Sequence, residues 1–221
     1  MALQDKSNNN VAIKSVKDRL LDVAEGLFCG HGFKGTSIRD IAAAAGCNIA
    51  SVNYYFGSKE KLYEEVWHRY LIPMRDARIA SINKVMSQTE GRPNLENLLR
   101  SFADTFVGSM VDTSRASCLS KLMAREYIDS HLPTNMFVDE VMKPTITAMH
   151  KALVKTCPGL DESKILPVVF SIVGQLVHLV HIKAMFEQND DDLGLPVLDS
   201  DEVINHIVKF SAAGIRVYTN K

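Results

Sequence analysis

Between Thr36 and Lys61 the chain reads TSIRDIAAAAGCNIASVNYYFGSKEK, and this stretch limits what the rest can be. Ile38, Ile41, Ala42 and Ala45 recur at i, i+3, i+4, i+7, one apolar stripe on a short helix. Ser37 suits its N-cap, with Asp40 three residues on, because a hydroxyl there accepts from a backbone N–H the helix leaves unpaired. Gly46 follows and can take the positive φ that ends a helix without a Cβ penalty. Cys47 is a small apolar plug, and Asn48 caps a second helix from Ile49 to Phe56, whose buried side is Val52 and Phe56.

The other sides of that second helix carry Ala50, Ser51, Asn53, Tyr54 and Tyr55, which are short or hydrogen-bonding. Two turns with so little apolar surface make poor core material. They suit a DNA major groove, where short side chains let the backbone approach base edges and tyrosines reach phosphates. Ala42, Gly46 and Val52 also have the spacing of a helix-turn-helix: a small contact residue, a corner, and a β-branched wedge. The competing reading is two helices of an ordinary bundle.

The Gly32-Phe33 and Thr36-Ser37 openings, Arg39-Asp40-Ile41-Ala42, Ala45-Gly46, and Tyr54-Tyr55-Phe56 followed by Ser58-Lys59 resemble the DNA-binding half of the TetR family of bacterial transcriptional regulators. The likeness runs from about Val16 to Val66. It implies an operator of double-stranded DNA as partner. Arg39, Ser51, Asn53 and Tyr54 would then lie nearest the bases, with Ser37, Asn48, Tyr55 and Lys59 on phosphates. Ile49 and Ala50 would give apolar or close backbone contact.

The formal net charge of the 221 residues is −1, so any contact with DNA must come from a local surface and from helix N-termini. Cys29, Cys47, Cys118 and Cys157 lie far apart, with no CxxC and no zinc-finger histidines, which fits reduced thiols and a cytoplasmic protein. Met1 to Asn10 lacks the apolar region of a signal peptide.

No segment alternates with period two for long, so the expected fold is all-α. Residues 1–12 read as a disordered arm, 13–70 as a three-helix helix-turn-helix domain, and 71–221 as a helical ligand-binding and dimerisation domain. The first helix is expected from about Ile13 to Cys29. Another follows the Gly57 break to about Tyr70, and Pro73 marks the passage to a separate helix from Met74 to Ser87. Further helices are expected over about Leu95–Val111, Ser117–Ser130, Asn135–Thr156, Glu162–Gln188 and Asp201–Tyr218.

The segment from Ile165 to Phe186 is apolar on most faces, so it must be buried on more than one side. Ser171, Gln175, His178, His181 and Lys183 interrupt it, which argues against a membrane span. Ser171, Gly174, Gln175 and His178 form a small, polar stripe suited to close helix approach, and Ile207, Ser211 and Gly214 repeat the spacing on the last helix. The family resemblance implies that these two helices pair with those of a twin in a homodimer. His178 and His181 have a spacing some metal sites use, but no carboxylate lies near, so neither a metal nor another cofactor is expected. The run Asp190-Asp191-Asp192 reads as a solvated loop.

SKLMAREYI (Ser120 to Ile128), with Met142-Lys143-Pro144 and Gly174-Gln175, is similar to the C-terminal half of the CecR-like branch of the family, which implies a small-molecule effector pocket. Phe102, Phe106, Met110, Met123, Tyr127, Met142, Ile146 and Met149 are adaptable apolar candidates for its walls, with Arg125 and Glu126 as the charged groups at its edge. Plain core remains the competing reading of that stripe. No residues are candidates for catalysis, so an enzyme is not expected. Together these features imply a regulator, expected to be a repressor released from a palindromic operator by its effector. A scaffold of the same fold acting through protein partners is the alternative, distinguished by tight partner binding that needs no DNA.

Overall fold

Ser15 and Asp18 define the start of the first described helix. Ser15 Oγ accepts from the Asp18 N–H at 3.1 Å and caps α1 (Val16–His31). The computed structural model describes residues 15–89, 93–111, 116–188 and 199–219. The N-terminal arm and the Asp190-Asp191-Asp192 run fall outside these.

The remaining helices are α2 (Ile38–Ala44), α3 (Ile49–Phe56), α4 (Lys59–Gln88), α5 (Leu95–Val111), α6 (Ala116–Ile128), α7 (Thr134–Phe137), α8 (Lys143–Thr156), α9 (Ile165–Gln188) and α10 (Ser200–Val217). A π turn, Val138–Met142, joins α7 to α8, and a 3₁₀ turn precedes α9. The described residues hold no strand, only one isolated bridge between Leu160 and Thr219, so the fold is all-α.

The expected break at Pro73 does not occur, for α4 runs through it. A proline inside a helix forfeits one backbone bond and strains the preceding turn, by about 3 kcal/mol. Leu71 and Met74, on either side of it, are both buried, and their packing offsets that penalty.

The chain divides into two compact units. Of the described residues, one comprises those through Trp67 together with Ala124–His131, and the other those of His68–Met123 with those from Leu132 onward. In the first, Leu20, Ala24 and Phe28 of α1 meet Ile41 and Ala42 of α2, Val52 and Phe56 of α3, and Leu62 and Val66 of α4 in a shared core. Gly35 lets the chain turn between α1 and α2, since a Cβ there would lie 2.4 Å from the His31 carbonyl oxygen. In the second, α9 packs against α5, α8 and α10 through Val169, Ile172, Leu176 and Leu179. Its stretch Glu162–Lys183 is long and apolar enough to cross a membrane by composition alone, the reading that its interrupting polar residues oppose.

The segment Ala124–His131 joins the first unit through specific bonds. Arg125 Nη1 donates to the carbonyls of Phe28 and Cys29 at 3.0 and 2.9 Å, and Nη2 to that of Gly30 at 2.8 Å. A cation on the last carbonyls of a helix satisfies acceptors that lack intrahelical partners and complements the negative end of the dipole. Glu126 accepts from the Tyr63 hydroxyl at 2.9 Å, and burial pushes that phenol well above its ordinary range.

Replacing Arg125 with Met should therefore lower the stability of the chain by about 1–2 kcal/mol, read as a fall in the urea midpoint. Arg125→Lys should recover less than half, because one ammonium does not span three carbonyls. Equal midpoints for Lys and Arg would show that charge alone matters there.

Candidate nucleic-acid interface and apolar cavity

The helix-turn-helix begins with two side-chain caps. Ser37 and Asp40 form a reciprocal capping box on α2, at 3.2 Å from the Asp40 N–H to Ser37 Oγ and 3.1 Å from the Ser37 N–H to Asp40 Oδ2. The Ser37 hydroxyl, donating to Asp40 Oδ2 at 2.6 Å, and then the Ser37 N–H hold the Asp40 carboxyl below its ordinary range. Gly46 turns the corner at φ 63°. Asn48 Oδ1 then accepts from the Ala50 N–H at 2.9 Å and starts α3, leaving its amide N–H groups for an acceptor outside.

Val52 and Phe56 are buried and bind α3 to the core. The outward side is what the sequence predicts. Arg39, Ser37, Asn48, Ala50 and Asn53 are exposed, Ser51 is half-buried, and Tyr54 is 82% exposed. Ile49 and Tyr55 are exposed to about the same degree as each other, near 40%. Lys59, at the start of α4, is half-buried, with its ammonium 4.2 Å from the centroid of the Phe33 ring. A lysine that opposes the dipole of its own helix thus has a cation–π partner, an interaction not read from the sequence.

In the second unit, α4, α5, α6, α8 and α9 enclose a cavity of about 210 Å³. Phe102, Phe106, Met110, Met123, Met142 and Ile146 lie on its wall, among other apolar side chains that include Leu71, Met74, Leu119, Val141, Val169 and Val173. Four expectations are corrected. Arg125 and Glu126 belong to the first unit, where they bond the end of α1 and Tyr63, and Tyr127 is 94% exposed. Met149 is fully buried but lines no part of the cavity. The first three follow α6 beyond Met123, where its helix leaves the second unit.

The polar groups of the cavity are instead Arg78 and Thr145. Arg78 is 6% exposed, and its guanidinium carbon lies 3.9 Å from the centroid of Phe106. Burial pushes it down to about 10, so it stays charged at neutral pH. Neither Arg78 Nε nor Thr145 Oγ has a hydrogen-bond partner among the described residues. The sequence does carry a signal for Arg78: it occupies the register of buried Leu71, Met74 and Ile82, at i, i+3, i+7, i+11.

Pro144 explains the irregular wall beside Thr145. It has no N–H for the Glu140 carbonyl one turn back, and the π turn Val138–Met142 widens the helix there. The Glu140 carbonyl accepts from Arg75 Nη1 at 3.2 Å.

The small, polar stripe is also revised. Ser171, Gly174 and His178 on α9 are exposed and Gln175 half-buried, but Ile207 and Ser211 face inward, with Gly214 exposed. On α10 the inward register is Ile204, Ile207, Val208, Ser211, Ala212 and Ile215. The outward apolar side chains are Phe210 and Val217, 63% and 78% exposed, one heptad apart.

Comparison with known proteins agrees with this architecture. The family described as bacterial regulatory proteins, tetR family, matches residues 20–66. The C-terminal domain of the HTH-type transcriptional dual regulator CecR matches residues 95–215. The second match covers more than half of the chain, which therefore belongs to the TetR family of transcriptional regulators, carrying the family's DNA-binding helix-turn-helix. The HTH-type transcriptional repressor KstR2 of Mycolicibacterium smegmatis is 42% identical over 57 residues, 26% of this chain and 28% of that protein. CecR of Shigella flexneri is 48% identical over 50 residues, 23% and 22% of the two chains. The chain thus spans about a quarter of the length of the curated relatives it matches. Among solved structures, the transcriptional regulator FadR of Bacillus subtilis in complex with stearoyl-CoA shares the fold, with a TM-score of 0.60, 16% identity and coverage of 90% and 98%.

A buried hydroxyl without a partner is a liability that an isosteric methyl removes. Thr145→Val should leave the empty protein as stable or stabilise it by up to about 1 kcal/mol, measured by thermal unfolding. A loss of more than about 1 kcal/mol would mean that the hydroxyl already has a partner.

Proposed function

We propose that this regulator is a homodimeric repressor that a small molecule bound in the cavity releases from a palindromic operator. The observation that carries the reading is the two-sided α3: Val52 and Phe56 buried, and Asn53, Tyr54 and Tyr55 exposed beside a capped, positively polarised N-terminus. One eight-residue helix reads few base pairs, so specificity calls for a second copy related by a two-fold axis. Exposed Phe210 and Val217 on α10, and Leu166 on α9, offer the apolar surface for that pairing, flanked by Ser171, Gly174 and His178. KstR2, whose DNA-binding region is similar, is a repressor by its name. FadR of the same fold holds stearoyl-CoA, which supports a ligand in the helical domain here.

Release from DNA then follows from linkage. An effector that binds better to a dimer whose recognition helices are misspaced for successive major grooves shifts the population toward it. Affinity for DNA falls by that difference in binding free energy, and bound DNA weakens the effector equally.

In this reading Arg39, Ser51, Asn53 and Tyr54 read bases, and Ser37, Asn48, Tyr55 and Lys59 meet phosphates, with Ile49 and Ala50 in close contact. Asn53→Ala should cost about 1–3 kcal/mol on the preferred site and little elsewhere. Tyr55→Phe and Lys59→Ala should weaken every sequence alike, and the lysine change should flatten the salt dependence. Fluorescence anisotropy over a salt series, with unfolding curves for Lys59→Ala because Phe33 also loses its cation, tests the assignment. Unchanged binding in all three variants would defeat it.

A further inference from the structure

The cavity of the second unit is almost wholly apolar, yet a guanidinium opens onto it. Arg78 is nine-tenths buried, stacked on Phe106, and bonded through Nε to nothing among the described residues. Burial is what lowers its pKa, and it forms no ion pair among the described residues. A buried, unpaired charge is retained against a steep solvation penalty, and a cation–π contact offsets only part of it. Met or Leu would fill the same register more favourably if the position served packing alone. Thr145, three residues after the π turn, presents to the same cavity a second polar atom with no partner among the described residues.

An anion is the partner such a wall lacks. The guanidinium is a planar fork that matches a carboxylate with two parallel hydrogen bonds, and a hydroxyl can donate a third. The rest of the wall, methionine and phenylalanine above all, suits an apolar body of irregular shape. About 210 Å³ exceeds the roughly 150 Å³ that admits benzene, so a small aromatic acid or a medium-length acyl chain fits. Phe137 and Phe170, both lining the cavity and both exposed, mark where it reaches the surface.

We propose that the cavity binds a monocarboxylate with an apolar body, its carboxylate held by Arg78 and Thr145. This rests on the reading of the cavity as the effector site and adds the charge and shape of what enters it.

The test measures binding of octanoate, octanol and octylamine, and of phenylpropionate and phenylpropanol, to the full chain by calorimetry and thermal shift. The acids should bind at least about tenfold more tightly than the alcohols of equal length, and octylamine should bind worst. Arg78→Met should erase the preference for acid over alcohol while leaving the empty protein at least as stable. Arg78→Lys should keep the preference over the amine but bind acids more weakly than the parent. Phe102→Trp, which fills the cavity, should abolish binding of acid and alcohol alike. Equal affinity for acid and alcohol in the parent overturns the carboxylate proposal and leaves the cavity a binding site, a comparison that holds even if a variant fails to fold. Acids that still bind after Phe102→Trp overturn the site itself, as does the absence of binding by every probe.

Discussion

Two side chains, Val52 and Phe56, tie the recognition helix to its domain, and the use of every other residue on that helix depends on them. An eight-residue helix does not persist alone in water. Here the Asn48 cap, the corner at Gly46 and the burial of those two side chains supply what length does not. Because so little of α3 is spent on packing, Ile49, Ala50, Asn53, Tyr54 and Tyr55 remain at the surface. A longer or more apolar helix would be steadier and would offer less to a base edge.

The helix-turn-helix was legible because each of its parts has a local signature. Caps, a positive-φ glycine and i, i+4 burial are decided within a few residues, and Ser37, Gly46, Val52 and Phe56 do what those rules say. What was not legible depends on residues distant in sequence. Pro73 reads as a break, yet Leu71 and Met74 find a core that keeps α4 continuous. Arg125 and Glu126 read as charges near a pocket, but their partners are the Phe28, Cys29 and Gly30 carbonyls and Tyr63. On α10 two periodic stripes compete. The stripe of smaller residues contains buried Ile207 and Ser211, whereas Phe210 and Val217 face outward.

The proposed effector site in the helical domain rests on departures from ordinary core packing. Its apolar members follow ordinary periodicity and alone would be indistinguishable from core. The departures from the rules carry the information: an arginine in a buried register, a threonine hydroxyl with no partner among the described residues, and a proline beside a π turn. The first two are unfavourable in an empty cavity, and the proposed anionic, largely apolar ligand would give both a partner.

The central claim is that a two-fold pair of these recognition helices reads a defined DNA sequence. Selection of bound duplexes from a random pool with the purified full chain, followed by sequencing, tests it most directly. The account predicts enrichment of a palindrome whose half-sites lie one helical turn or a multiple apart, about 10 base pairs or more centre to centre. An enriched sequence without two-fold symmetry, or no enrichment at all, would contradict it.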